Sequence, residues 1–246
     1  MSDAAWVTIE RLADSAWPAA EQTPLGDWVL RATHGVTRRA NSVFTAGGRD
    51  YRGAELEHLI DEAEGFYRRR SLNPVFQISD ATGARALDEA LARRGYGVGG
   101  RSEVWTAPMA VRAGRDGVVA SDEVTPEWFD CAFEDDAAEK RPVHEQIVRR
   151  VPRPRRFAAK LIDGEVAGVG MSASADGFAG LFCMVTRPTY RRRGVGLALV
   201  RHLCAWAAGR GDQTVFLQVM VENEAAKGLY AKAGFARAYR YHYRVR

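Results

Sequence analysis

Arg191-Arg192-Arg193-Gly194-Val195-Gly196 is the stretch whose reading decides the fold of this 246-residue chain. Before it, Ala179-Gly180-Leu181-Phe182-Cys183-Met184-Val185-Thr186 reads as a strand closed by Arg187-Pro188. After it, Leu197, Leu199, Val200, Leu203 and Ala207 recur at helical spacing. A turn of this composition between strand and helix has the outline of a diphosphate cradle. The first amides of a helix lack intrahelical partners and carry a partial positive charge, and glycines at 194 and 196 let backbone N–H groups approach a ligand closely. Glycines also serve ordinary strand-to-helix turns, so the flanking sequence has to decide.

Downstream, the helix ends near Gly209 and Gly211, and Thr214 to Val221 is too β-branched and apolar to be anything but a buried strand. Strand, crossover helix and strand predict a right-handed parallel βαβ unit, with a ligand beyond the carboxyl ends of the strands. A last helix, Glu224 to Lys232, stops at Gly234, and Tyr239 to Val245 reads as a closing strand. Upstream, Phe157–Ile162, Val166–Ser172 and Phe178–Thr186 are separated by Asp163-Gly164 and Asp176-Gly177, dipeptides that favour tight hairpins and so predict an antiparallel meander. Thr125-Pro126-Glu127 opens a helix whose apolar stripe is Trp128, Phe129, Ala132 and Phe133.

The first half echoes this order without the glycine loop. Trp28-Val29-Leu30 and Ser42-Val43-Phe44 read as strands, Leu56 to Arg69 as a helix, and Pro74 to Ser79 resembles the strand at 215 to 220. Ala84 to Arg94 followed by Gly95-Tyr96 parallels the helix that ends in Gly234-Phe235. An internal repeat follows. The position of the glycine loop is taken by Thr45-Ala46-Gly47-Gly48-Arg49-Asp50. Residues 110–117 read as a linker, so the expected domains are 1–112 and 113–246. Gly95-Tyr96-Gly97-Val98-Gly99-Gly100 satisfies G-x-G-x-x-G formally, but it follows a helix and precedes the strand Glu103 to Thr106, the reverse of a dinucleotide fingerprint.

Composition narrows the function classes. No run of about 18 apolar residues is present, and Met1 to Trp6 lacks a charged segment followed by an apolar run, so neither a membrane span nor export is expected. Cys131, Cys183 and Cys204 are far apart and odd in number, which argues against disulfides or a metal site and fits a reducing cytoplasm. The net charge of +4 comes almost wholly from dispersed arginines not interleaved with aromatics, so no nucleic-acid partner is expected.

Taken together, the loop resembles the Q/R-x-x-G-x-G/A signature of the GNAT superfamily of acyl-CoA-dependent N-acyltransferases. Thr186-Arg187-Pro188-Thr189-Tyr190 resembles the approach to that loop, and Asn223 to Phe235 resembles the family's Asn, Ala, Leu-Tyr and Gly-Phe pattern. The resemblance covers roughly residues 117–246; the whole chain is similar to tandem-GNAT proteins with one surviving site. It implies a mixed α/β fold of two GNAT-like domains, each a central mixed sheet flanked by helices. The donor it implies is acetyl-CoA, with its pyrophosphate on Arg191, Arg192, Arg193, Gly194, Val195 and Gly196. Its pantetheine arm would run along Met184, Val185 and Thr186, and Asn223 would contact the cofactor, although capping the last helix is by itself sufficient reason for an Asn there. It implies direct attack by an amine, small-molecule or peptide, in a ternary complex. Tyr230 would protonate the departing thiolate and a strand amide, Met184, would polarise the thioester. The first-half position matching Tyr230 is Leu91, so chemistry is expected in the second half alone. The alternative is a non-catalytic acyl-CoA sensor.

The strand Leu181 to Thr186 carries no carboxylate, a departure from members that keep a glutamate there. Glu222, His144, Glu134 and Glu145 are the candidate bases, each equally readable as a capping or solvated residue. Glu134-Asp135-Asp136 with Glu139 would attract a cationic amine. Arg149, Arg150, Arg153, Arg155 and Arg156 would attract the 3′-phosphate of CoA or an acidic acceptor.

Overall fold

The computed structural model describes residues 3–82, 84–109 and 117–246; the expected linker at 110–117 lies outside them except for Gly117. In chain order the elements are α1 (Asp3–Ser15), β1 (Glu21–Leu25), β2 (Trp28–Ala32), β3 (Val43–Phe44), α2 (Gly53–Arg68), β4 (Val75–Ser79), α3 (Arg85–Arg93) and β5 (Gly97–Pro108). They continue with β6 (Val118–Ser121), α4 (Pro126–Ala132), α5 (Arg141–Arg150), β7 (Arg155–Ile162), β8 (Glu165–Ala175), β9 (Phe178–Thr186), α6 (Val195–Gly209), β10 (Thr214–Met220), α7 (Glu224–Lys232) and β11 (Ala236–Val245). The chain divides into two compact units, Met1–Glu103 with Tyr239–Arg246, and Val104–Ala238.

In the first unit, β1 and β2 form an antiparallel hairpin, β2 pairs antiparallel with β3, and β3 runs parallel to β4 through the crossover helix α2. The last strand of the chain returns here: Tyr241–Val245 pair antiparallel with Ser79–Val75 of β4. One face of this sheet buries Leu30, Phe76 and Ile78 against Leu56, Ile60, Ala63 and Phe66 of α2 and Leu87 and Leu91 of α3. Full burial of each large side chain contributes roughly 1.5–3 kcal/mol. Alternation puts Arg31 and Gln77 on the opposite face, where Arg31 donates to Gln77 Oε1 and Ser42 Oγ, and Gln77 donates to Glu10 of α1. Burial dominates at Glu10 and raises its pKa although Tyr239, Ser79 and Arg31 oppose the shift.

In the second unit, β6 to β9 form an antiparallel meander and β9 pairs parallel with β10 through α6. Both expected hairpins are present. Asp163 and Gly164 (φ 53° and 84°) and Asp176 and Gly177 (φ 52° and 79°) are all left-handed, the conformation a type I′ turn requires and Asp-Gly supplies at least cost. Thr125 caps α4, accepting from the Trp128 amide, and Pro126 occupies its first turn, as its sequence indicates. The α6 residues Val195, Leu199, Val200, Leu203 and Cys204 pack with Leu181, Val215, Leu217 and Val219, so this face of β9 and β10 belongs to α6. The other face carries Phe182 and Phe216, edge to face at 5.9 Å, and Gly180 is open enough to admit both rings.

Several elements exceed the sequence reading. Helices α1 and α5 and strands β1 and β6 were not expected, and β5 begins at Gly97, inside the glycine-rich decoy.

Candidate functional site

β9 and β10 do not stay paired. Their parallel register runs from Phe178↔Thr214 to Leu181↔Leu217 and stops, although β9 continues to Thr186 and β10 to Met220. The cause lies on the other edge of β9. There Met171 of β8 pairs with Phe182 and Val169 with Val185, so Cys183 and Met184 oppose the single residue Gly170. This is a β-bulge, and Cys183 adopts φ 50° to make it, a costly conformation for a non-glycine residue. Gly170 gives the bulge room: a Cβ there would lie 2.5 Å from Met184 Sδ. Cys183, Met184, Val185 and Thr186 are accordingly half-exposed along one arm of an open fork.

Beyond that arm, a 3₁₀ turn at Pro188–Tyr190 leads to the arginine–glycine loop. Arg192 (φ 63°) and Gly194 (φ 79°) are both left-handed, which turns the chain sharply into α6 at Val195. The first amide of the helix with a partner is Ala198, bonded to the Gly194 carbonyl. Among the described residues, the six consecutive N–H groups from Arg192 to Leu197 have no acceptor. No carboxylate pairs with Arg191, Arg192 or Arg193 among them either. Arg193 instead lies 5.4 Å over the Tyr190 ring, whose hydroxyl donates to Glu165 Oε2 at 2.7 Å and thereby pins the turn to β8. Six free amides at the start of a fifteen-residue helix, flanked by unpaired guanidinium groups, form a strong anion-binding arrangement.

The two glycines have different reasons. Gly194 needs its positive φ and has open space where a Cβ would be, whereas a Cβ on Gly196 would lie 2.8 Å from Leu229 Cδ2. Gly196 therefore serves the close packing of α6 on α7.

Tyr230 on α7 is buried among the α6-face residues, with its ring 6.0 Å from Phe235. Burial alone pushes its pKa up to about 12, so the phenol is neutral at ordinary pH. No residue among those described hydrogen-bonds its hydroxyl. Asn223 caps α7, its Oδ1 accepting from the Ala226 amide at 3.1 Å. The helix ends in a left-handed Gly234, and the Phe235 amide bonds the Tyr230 carbonyl.

Three of the four candidate bases are engaged elsewhere. Glu134 accepts from Arg187 Nε, Glu145 from Arg149, and His144, stacked on Phe133 at 4.6 Å, pairs through Nδ1 with Asp136. Glu222 follows β10, exposed, with no side-chain partner among the described residues. The arginine cluster is not beside the cradle. Arg153 and Arg155 line an open hollow of about 370 Å³ with Trp206 and Arg210, at the far end of α6, about 22 Å from Gly194 at 1.5 Å per residue. Those two arginines therefore do not border the arginine–glycine loop. Cys131 and Cys204 are buried thiols, the latter pushed up to about 12 by burial, and no metal-binding group of side chains occurs among the described residues.

The Cys183 bulge and the Tyr190–Glu165 anchor depend on partners in β8, distant along the chain, and leave no local signal in the sequence. Only Gln218 left a visible signal, as the single amide in the apolar run Thr214 to Val221.

The chain matches known proteins over nearly its whole length. Residues 5–244 match a family model described as the C-terminal region of the probable histone acetyltransferase Rv0428c. The chain is 35% identical over 247 residues to the uncharacterized N-acetyltransferase YobR of Bacillus subtilis, covering 97% of each. It is 27% identical to the probable histone acetyltransferase Rv0428c of Mycobacterium tuberculosis over 92% of this chain and 69% of that one. In fold it is similar to a GCN5-related N-acetyltransferase from Kribbella flavida, with a TM-score of 0.75 over 97% of this chain and 94% of that one at 13% identity.

Proposed function

This chain belongs to the GNAT-type N-acetyltransferases, in the family described by the C-terminal region of Rv0428c, and on that premise we propose that it moves an acetyl group from acetyl-CoA to a primary amine. The observation that carries the donor assignment is the row of free amides from Arg192 to Leu197 beside the β9–β10 fork. A pyrophosphate there would satisfy donors that the fold leaves unpaired, and Arg191, Arg192 and Arg193 would add charge. The pantetheine arm, an extended chain of amides, would complete the edge of β9 at Met184, Val185 and Thr186, which β10 abandons after Leu217.

The thioester then sits in the fork. The Met184 amide polarises its carbonyl, the amine nitrogen attacks the carbonyl carbon, and the C–S bond breaks. Tyr230, kept neutral by burial, gives its proton to the leaving thiolate, the nitrogen loses one to water, and a proton from water restores the phenol. With no carboxylate on the exposed arm of β9, water takes the proton from the nitrogen, and Glu222, exposed and without a side-chain partner among the described residues, is the carboxylate left to relay it. Asn223 fixes the start of α7 and through it the position of Tyr230.

The first half supplies neither cradle nor acid, and we assign catalysis to residues 113–246. Residues 1–112 would descend from the same ancestral unit as a copy that no longer binds the donor. The acceptor is a small-molecule or protein amine, and with no helix among the described residues long and apolar enough to cross a membrane, the proposed location is the cytoplasm. A non-catalytic acyl-CoA sensor is the second reading, favoured by the missing strand carboxylate. Calorimetry with acetyl-CoA, followed by thiol release with an amine panel for wild type and Tyr230→Phe, separates them. Binding with transfer that collapses in Tyr230→Phe supports the enzyme. Binding without transfer to any amine supports the sensor, and absence of binding refutes the cradle.

A further inference from the structure

Gln218 is the residue that the proposed chemistry has not used. It stands one position past Leu217, the last residue of β10 paired with β9, so it lies at the crotch of the fork. Its direction follows from alternation. Val215, Leu217 and Val219 pack with α6, whereas Phe216 meets Phe182 on the opposite face, and Gln218 shares the Phe216 face. The donor's cradle belongs to the α6 side, because the free amides open that helix. A group at the crotch that faces the other way meets whatever enters from the other side.

Its chemistry is equally specific. Gln218 Oε1 is buried and accepts no hydrogen bond among the described residues. Leaving a buried carbonyl oxygen unpaired costs roughly 1–3 kcal/mol; Arg156 Nε, Ser172 Oγ and Tyr239 Oη share that state, and Gln218 is the one of the four that stands at the crotch of the fork. Along the strand its neighbours are apolar, Val215-Phe216-Leu217 and Val219-Met220, so no side chain adjacent to it in β10 offers a hydrogen-bond donor. An acceptor nitrogen is the complementary group. It brings N–H donors, carries a positive charge until it loses a proton, and must stand at the thioester to react.

We infer that Gln218 Oε1 is the docking point of the acceptor nitrogen, a positioning residue that receives an N–H of a primary ammonium or amine and aims its lone pair at the fork. This rests on the acetyltransferase reading above. It specifies how the acceptor approaches: from the face opposite α6, head first, as a primary amine whose nitrogen keeps a spare N–H for Gln218 while it attacks.

The test uses the full chain with three probe amines, spermidine, Nα-acetyllysine amide and trialanine, and reads KM for the amine, kcat and the acetyl-CoA Kd separately. For the best of the three, Gln218→Met, close in shape but without the carbonyl, should raise the amine KM about tenfold or more and leave the acetyl-CoA Kd within twofold. Gln218→Glu keeps an acceptor oxygen and should hold the amine KM near or below that of wild type. Unchanged acetyl-CoA binding certifies the fold of each variant. An amine KM within twofold of wild type in Gln218→Met, or an acetyl-CoA Kd that worsens in step with it, overturns the inference while leaving the enzyme reading intact. A wild type that binds acetyl-CoA and acetylates none of the three overturns both.

Discussion

The loops that open the two crossover helices, residues 45–52 before α2 and 187–194 before α6, follow strands in equivalent topological places and have opposite electrostatic character. In the first, three amides ahead of the helix find acceptors within the chain, although those of Arg52 to Glu55, at the start of α2, do not among the described residues. The Gly48 amide bonds the Thr45 carbonyl, the Arg49 amide bonds Asp27 Oδ2, and the Tyr51 amide bonds the Arg49 carbonyl. Tyr51 turns inward, its ring against Trp28 at 5.7 Å and its hydroxyl accepting from the Asp27 amide, with Arg49 over its outer face at 4.6 Å. Only about 20 Å³ of cavity remains, room for a water molecule and nothing larger. In the second, two left-handed residues carry the chain outward, and six amides are left without partners. A loop that has found internal acceptors cannot offer those donors to a phosphate. The helix after β4 and the helix after β10 repeat the contrast at their ends. Both stop at a left-handed glycine, Gly95 and Gly234, with Tyr96 and Phe235 bonding back to Leu91 and Tyr230. One site thus holds a hydrocarbon and the other a phenol on the same structural motif.

The largest effect should come from exchanging roles at that motif. Tyr230→Phe should lower kcat about a hundredfold or more with acetyl-CoA affinity kept, by stopped-flow thiol release and calorimetry. Leu91→Ala, at a fully buried site, should cost about 2–5 kcal/mol in urea unfolding and leave kcat per folded molecule unchanged. Loss of turnover in the folded Leu91 variant would break the division of labour between the two regions.

Next in size is the cradle. Gly194→Val forces a β-branched residue to φ 79°, a cost of roughly 1–2 kcal/mol, and should weaken acetyl-CoA binding about fivefold to thirtyfold. Gly47→Val in the first loop carries the same φ of 79° and also crowds Val7. It should lower the melting temperature and leave acetyl-CoA affinity unchanged, and equal losses of affinity would erase the contrast. Tyr190→Phe removes the bond to Glu165 while keeping the ring under Arg193, and about threefold in the KM for acetyl-CoA is expected.

The smallest effect is a flat pH profile. Burial raises the Tyr230 pKa to about 12, so its proton remains available well above pH 10, the ordinary ionisation of a phenol. Turnover should show no decline from this group between pH 7 and 10. In stability the sign is the same: the advantage of the neutral buried phenol is complete below pH 10 and lost as the pH rises through about 12. A break in kcat near pH 9 that disappears in Tyr230→Phe would show the phenol to be far less buried.

Much of this was legible because it is local. The Asp-Gly hairpins, the Thr125 cap, the glycine stops and the span of α7 each depend on residues within one turn of chain. Helix α1 lacks a terminating glycine, α5 is held by Ile147 and Val148 on the core, β1 alternates in burial but has the polar Glu21 and Thr23 among its inward residues, and β6 is a half-exposed strand without a clean alternation. Their stability comes from packing partners distant in sequence, and the local pattern is weak.

By itself the sequence determined the strand–cradle–helix–strand order, the free amides that a glycine-opened helix must present, the placing of Tyr230 on the next helix, and the lack of a matching loop in the first half. Tertiary structure alone decided that β9 and β10 part after Leu181 and Leu217, that Cys183 takes the bulge, and that Gly196 answers to Leu229. It also decided that the arginine cluster lies a helix length from the cradle, that the closing strand pairs with β4, and that Gln218 faces away from α6. The division has one cause. Turn and cap chemistry is settled by neighbours along the chain, while register, splay and facing are settled by which distant strand supplies the partner.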